Sequence, residues 1–167
     1  DLTGWDTSSM TSIGASVSNY APFYSCLSLK RLNISTWDFS AAASSAQHMF
    51  TNCPYLEEID MSGCVYENAP TLTYQCPNIK RVLISPSVSF QGSFFAVASD
   101  ALMGYDGNWY TEDTRTRYTL DEARALVNER YGTTNEPICF IAGYGTSPYA
   151  AVYKDPDSSD CKLVFGR

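Results

Sequence analysis

The apolar positions of this chain repeat. Three segments, starting at Cys26, Cys53 and Cys76, share the pattern Cys-x-x-Φ-x-x-Φ-x-Φ-Ser, where Φ is a large aliphatic residue. The Φ positions are Leu29, Leu32 and Ile34, then Leu56, Ile59 and Met61, then Ile79, Val82 and Ile84, closed by Ser35, Ser62 and Ser85. The last two apolar positions of each segment are separated by one residue, so they point the same way on a half-buried strand. The segments recur after 27 and 23 residues. Units this short cannot bury their own apolar stripe. The pattern therefore predicts stacked turns, a solenoid with a parallel ladder of strands on one face.

Shorter elements accompany the strands. Phe23-Tyr24-Ser25 precedes Cys26, and Met49-Phe50-Thr51-Asn52 precedes Cys53, each placed to fill the side opposite the strand. The third copy, Leu72-Thr73-Tyr74-Gln75-Cys76, keeps apolar bulk and loses the Phe. The opening, Asp1-Leu2-Thr3-Gly4-Trp5-Asp6, matches Asn33-Ile34-Ser35-Thr36-Trp37-Asp38 at an offset of 32, so an insertion is expected around residues 16–22. The chain thus starts inside a further copy and reads as a fragment of a longer protein, with its targeting signals elsewhere. The repeated cysteines are expected as small buried hydrophobes stacked between turns. An inter-turn disulfide is the alternative. A metal site is disfavoured, because no Cys-x-x-Cys or Cys/His pairing occurs.

Over residues 1–85 the chain resembles the BspA-like leucine-rich repeats, the type also found in mycoplasma surface lipoproteins. The resemblance is carried by the strand core, by Gly4-Trp5-Asp6-Thr7-Ser8-Ser9-Met10, and by Thr36-Trp37-Asp38-Phe39-Ser40 followed by Met49-Phe50-Thr51-Asn52-Cys53. The third copy departs from it, with Cys64-Val65-Tyr66 in place of Trp-Asp. The resemblance implies a secreted or cell-surface bacterial protein with a role in adhesion or host interaction. It carries no catalytic residue and no particular ligand.

The pattern breaks at Ser85-Pro86-Ser87-Val88. Val88 to Phe95 reads as a strand or extended cap over the last turn, and Asp106-Gly107 as a tight turn leading into a strand at Trp109-Tyr110. Thr119-Leu120-Asp121-Glu122 is a capping box, Leu120, Ala123, Leu126 and Val127 follow at helical spacing, and Gly132 supplies the stop, which predicts a helix over 120–131. Tyr149 to Tyr153 and Cys161 to Phe165 flank an acidic turn and read as a hairpin. The expected fold is α+β: a leucine-rich-repeat solenoid over residues 1–87, followed by a small α+β C-terminal cap over 88–167.

Charge then narrows the function. With 11 basic and 18 acidic residues in 167, the net charge is −7. The basic residues are scattered, which argues against nucleic acid and anionic lipid as partners. No apolar run is long enough to span a bilayer. Catalytic constellations are missing from the pattern too. His48 is the single histidine, five residues from a cysteine expected in the core. Glu57-Glu58 and Asp121-Glu122 are adjacent carboxylates that point apart. Asp155 to Asp160 offers oxygens at alternating positions but lacks the glycine and closing glutamate of an EF-hand. No enzyme activity and no cofactor is expected.

What remains is surface. The residues between the apolar strand positions are Lys30, Arg31 and Asn33, then Glu57, Glu58 and Asp60, then Lys80, Arg81 and Leu83. Basic, acidic and basic stripes on neighbouring strands either neutralise one another or offer a patterned contact face. Twelve tyrosines add aromatic platforms for a protein or glycan partner on a host or bacterial surface. The expected function is a non-catalytic adhesion or protein-interaction module, the alternative a structural spacer projecting other domains from the cell wall.

Overall fold

The computed structural model describes residues 2–11, 22–42, 48–96 and 105–144. Its strands are β1 (Arg31–Asn33), β2 (Phe50–Thr51), β3 (Glu58–Met61), β4 (Tyr66–Ala69), β5 (Thr73–Tyr74), β6 (Arg81–Ile84), β7 (Val88–Phe90), β8 (Tyr105–Thr111), β9 (Arg117–Tyr118) and β10 (Ile138–Tyr144), with a short 3-10 turn at Ser40–Ala42 and, among the described residues, one α-helix, α1 (Leu120–Arg130), before β10. The main sheet has six strands in the order β1-β3-β6-β10-β8-β9. Two small parallel pairs, β2 with β5 and β4 with β7, stand apart from it.

The solenoid expected from the repeat is not the fold of the described residues. The main sheet is mixed. β1, β3 and β6 run parallel, but β10 lies antiparallel to β6, β8 antiparallel to β10, and β9 antiparallel to β8. Parallel pairing is thus confined to short ladders; β7 pairs with β4, and β8, β9 and β10 join the main sheet. The physical reason lies in the backbone of β6. Its far edge presents unpaired N–H and C=O groups, which would be costly to bury unpaired and hazardous to leave open. β10 satisfies them directly, in the register Ile138↔Ile84, Phe140↔Val82 and Ile141↔Arg81.

The apolar side chains set the inner face. Leu32, Ile59 and Val82 stand side by side across β1, β3 and β6, and Phe140 of β10 extends the row. All four are buried. Below them an aromatic column runs through the small parallel pairs, with Trp37 against Phe39 at 5.7 Å and Phe39 against Tyr66 at 4.8 Å between ring centroids. A second aromatic group, Phe90, Phe94, Phe95, Trp109 and Phe140, packs edge to face under β8 and β10. The Trp109 indole N–H donates to Phe95 O at 2.9 Å, so this large ring is buried without leaving its donor unmet.

Turn chemistry holds the corners. Ser25, Asn52 and Gln75, each directly before a repeated cysteine, adopt left-handed φ of 52°, 53° and 55°. Ser25 N donates to Thr51 O and Asn52 N to Tyr74 O, both at 2.9 Å, so these bends lie in register. Gly63 and Gly92 carry the chain against backbone of the neighbouring turn, at Ser35 and at Pro70-Thr71, where any Cβ would collide.

The helix forms where its capping box predicts. Glu122 N donates to Thr119 Oγ1, and Glu122 returns a carboxylate to Thr119 N at 2.8 Å. Ala123 and Val127 are buried, and Gly132 (φ 66°) follows Tyr131 at the end. The helix is tied to β7 by one side chain. Asn128 Oδ1 accepts from Phe90 N at 2.7 Å, and its Nδ2 donates to Phe90 O at 2.9 Å, so a side-chain amide stands in for a missing strand. The expected hairpin over residues 149–165 lies outside the described residues, as does the expected insertion around 16–22 apart from Pro22.

The Asn128 clamp yields a stability prediction. Asn128→Ala leaves two polar groups of the buried Phe90 backbone unmet, which should cost about 2 kcal/mol. Urea unfolding of the two proteins measures it. A loss below about 0.5 kcal/mol, the level of an ordinary surface change, would show that the clamp does not tie α1 to β7.

Candidate functional site

The eight charged and polar residues singled out in the sequence fall on or beside three adjacent strands. Because Leu32, Ile59 and Val82 turn inward, their neighbours turn outward, and parallel register lines them up. Arg31 stands beside Glu58, and Glu58 beside Arg81. Asn33 stands beside Asp60. One residue earlier, Glu57 N donates to Lys30 O and Lys80 N to Glu57 O, both at 2.8 Å, which aligns Lys30, Glu57 and Lys80 in a third row.

The side chains pair across the strands. Glu58 takes Arg81 at 2.6 Å on one oxygen and Arg31 at 3.5 Å on the other. Lys80 Nζ meets Glu57 Oε1 at 2.8 Å, and Asn33 Nδ2 donates to Asp60 Oδ2 at 3.2 Å. Charge is unevenly neutralised along the rows. Arg81 is two-thirds covered, whereas the Arg31 side chain is 70 % exposed and held only by the longer contact. Lys30 is exposed and has no ion-pair partner among the described residues. The β1 side of the face therefore carries the least neutralised positive charge. An open cleft of about 310 Å³ lies there, lined by Arg31, Leu32, Asn33, Glu58 and Asp60.

The mixed sheet adds residues that the repeat does not announce. β10 places Ile141 beside Arg81 and Cys139 beside Leu83, and β8 places Tyr110 next to Ile141. Glu112, just past β8, closes on Arg81 at 3.3 Å. Arg81 thus bridges two carboxylates. Its own burial disfavours the charged form, but Glu112 and Glu58 outweigh that and raise its pKa. In return Arg81 holds the Glu112 carboxyl below the ordinary glutamate value. Burial, with Glu112 alongside, pushes the Cys139 thiol up to about 12, so it is protonated at neutral pH. One sequence signal marks this strand: Ile138-Cys139-Phe140-Ile141-Ala142 is an unbroken apolar run between Pro137 and Gly143.

The groups considered for catalysis are placed elsewhere or engaged in structure. His48 is half-buried, packs edge-on against Tyr74 at 5.3 Å and has a buried Nδ1 with no hydrogen-bond partner among the described residues. Cys53 donates its thiol to Phe23 O at 2.9 Å rather than to His48. Asp121 pairs with Arg124 at 3.1 Å while Glu122 serves the helix cap. A second cleft, of about 440 Å³, is lined by Glu112, Asp113, Arg130 and residues 136–139. Among the described residues no group of three or more His, Cys, Asp or Glu is arranged to hold a metal ion, and no helix is long and apolar enough to cross a membrane. The acidic turn at Asp155 to Asp160 lies outside the described residues.

No family model matches the chain, and no curated protein or solved structure shows a significant similarity to it.

The Arg81 bridge has a pH consequence of definite sign. A depressed carboxyl contributes stability above its unfolded value, near 4.5 for glutamate, and that contribution is lost as pH falls through the lower folded value. Following the Glu112 side-chain carboxyl by NMR should give a midpoint below 4.5, moving upward in Arg81→Met. A midpoint that stays put in the variant would remove Arg81 as the cause.

Proposed function

We propose that this chain is a non-catalytic protein-interaction module of a bacterial cell-surface or secreted protein, and that its contact surface is the outer face of β1, β3 and β6. The observation that carries the reading is the graded charge of that face. Ion pairs fix Glu58 and Arg81 at its centre, so their side chains are ordered before any partner arrives. At the β1 side, Lys30 and Arg31 keep positive charge in a protein whose net charge is −7. Such a patch selects an acidic partner and steers its approach, while the ordered centre lowers the entropy lost on docking.

The cell-surface part of the proposal rests on the motif resemblance over residues 1–85, supported by a composition low in charge and rich in Ser, Thr and Tyr. The exposed rings of Tyr24, Tyr55 and Tyr74 favour a second reading, a glycan partner, because aromatic faces stack on sugar rings. A spacer without a ligand is the remaining alternative.

Probing peptide and glycan arrays with the chain, its Lys30→Glu/Arg31→Glu variant and an Arg130→Glu control separates these readings. The proposal expects capture by acidic peptides, weakened about tenfold or more in the strand-face variant and unchanged in the control. Capture by glycans that survives the charge reversal would move the contact to the tyrosines. No capture on either array would leave the spacer.

A further inference from the structure

Away from the strand face, three thiols line up at the bends that precede β1, β3 and β6. The register of β2 on β5, Phe50↔Thr73 and Thr51↔Tyr74, continues to bring Cys53 beside Cys76. The bond from Ser25 N to Thr51 O sets Cys26 beside Cys53 in the same way. Each buried thiol is turned toward the preceding turn: Cys53 Sγ donates to Phe23 O at 2.9 Å and Cys76 Sγ to Phe50 O at 3.3 Å. All three cysteines are unbridged. They differ in access, because Cys53 is fully buried and Cys76 nearly so, whereas Cys26 is partly exposed.

Neighbouring residues on paired strands lie about 4.8 Å apart, inside the roughly 4.4–6.8 Å Cα separation that a disulfide spans. The register therefore brings the cysteine backbones within the Cα separation that a bridge requires, and Cys26 is the partly exposed end of the column. The same register puts a second thiol, that of Cys53, behind the partly exposed Cys26.

We propose that Cys26 and Cys53 form a thiol–disulfide exchange site that takes small-molecule disulfides of the glutathione type and is converted by them into an inter-turn disulfide. In the first step Cys26 loses its proton to water, and its thiolate attacks one sulfur of the disulfide RSSR. An S–S bond forms between Cys26 and RS, and the other RS⁻ leaves and is protonated. In the second step Cys53 Sγ attacks Cys26 Sγ, its proton passing to the departing RS⁻. Two protein thiols are oxidised to one disulfide while RSSR is reduced to two RSH. The bridge staples the turn that carries Tyr24 to the turn that carries Asn52. Burial and the neighbouring Cys53 raise the Cys26 thiol, so exchange is slow at neutral pH and accelerates as the solution becomes alkaline.

The experiment incubates the reduced chain with oxidised glutathione at pH 7 and pH 9, quenches with acid and maps bridges by non-reducing peptide mass spectrometry. The expected result is a Cys26–Cys53 link, formed faster at pH 9, with Tm raised by roughly 6–12 °C over the reduced protein. Reductant should reverse both. Cys26→Ser, a change at a partly exposed site, should abolish the link and the Tm rise while the variant remains folded by circular dichroism. A folded protein that forms no bridge within the column would overturn the proposal. So would a Cys53–Cys76 bridge that still forms in Cys26→Ser, because the site would then not open through Cys26.

Discussion

The pairing of β10 with β6 is the constraint on which the rest of the structure depends. On one side of it lie three short parallel strands of the repeat, on the other the antiparallel β8 and β9. β10 hydrogen-bonds to both sides and puts Phe140 between Val82 and the Trp109 cluster. It also makes the outer face continuous, since Arg81 reaches Glu58 on the parallel side and Glu112 on the antiparallel side. Without β10, Arg81 would lose one of its two carboxylates and β6 would present a bare edge.

Division of labour follows from that geometry. The inner face is apolar and aromatic and supplies the stability. The outer face is polar and its ion pairs, being partly exposed, add little to stability but fix side-chain positions. Order at the centre of the face and unpaired charge near β1 are properties suited to recognition. The cysteine column lies at the bends before the strands, away from this face, so its chemistry and the proposed contact surface can be varied separately.

Much of the local structure was legible in the sequence, and for identifiable reasons. The Φ-x-Φ spacing places Leu32, Ile59 and Val82 on one face, and equal spacing from each cysteine gives their register, so Arg31, Glu58 and Arg81 align without any long-range information. The helix at Leu120 is legible because its capping box is a local device. The fold class was not legible. The fate of the β6 edge is decided by a strand more than fifty residues later, and nothing in the repeat marks an edge as awaiting an antiparallel partner. For the same reason Glu112 and Cys139 escaped notice as neighbours of Arg81, since only the closed sheet brings them there. Val88 to Phe90 does form a strand, as its apolar pattern suggests, but it pairs with β4, and the β6 edge is met by β10 instead.

Cross-linking of the Leu83→Cys variant tests the central pairing most directly. The Ala142 N to Lys80 O bond and the register of β10 on β6 make Leu83 and Cys139 a directly opposed, non-hydrogen-bonded pair on the outer face. Mild oxidation of the variant should yield a disulfide between the introduced thiol and Cys139 as the main new product of peptide mapping, with the fold retained. A folded variant in which the introduced thiol stays free, or bridges to a different cysteine, would contradict the mixed sheet on which this account rests.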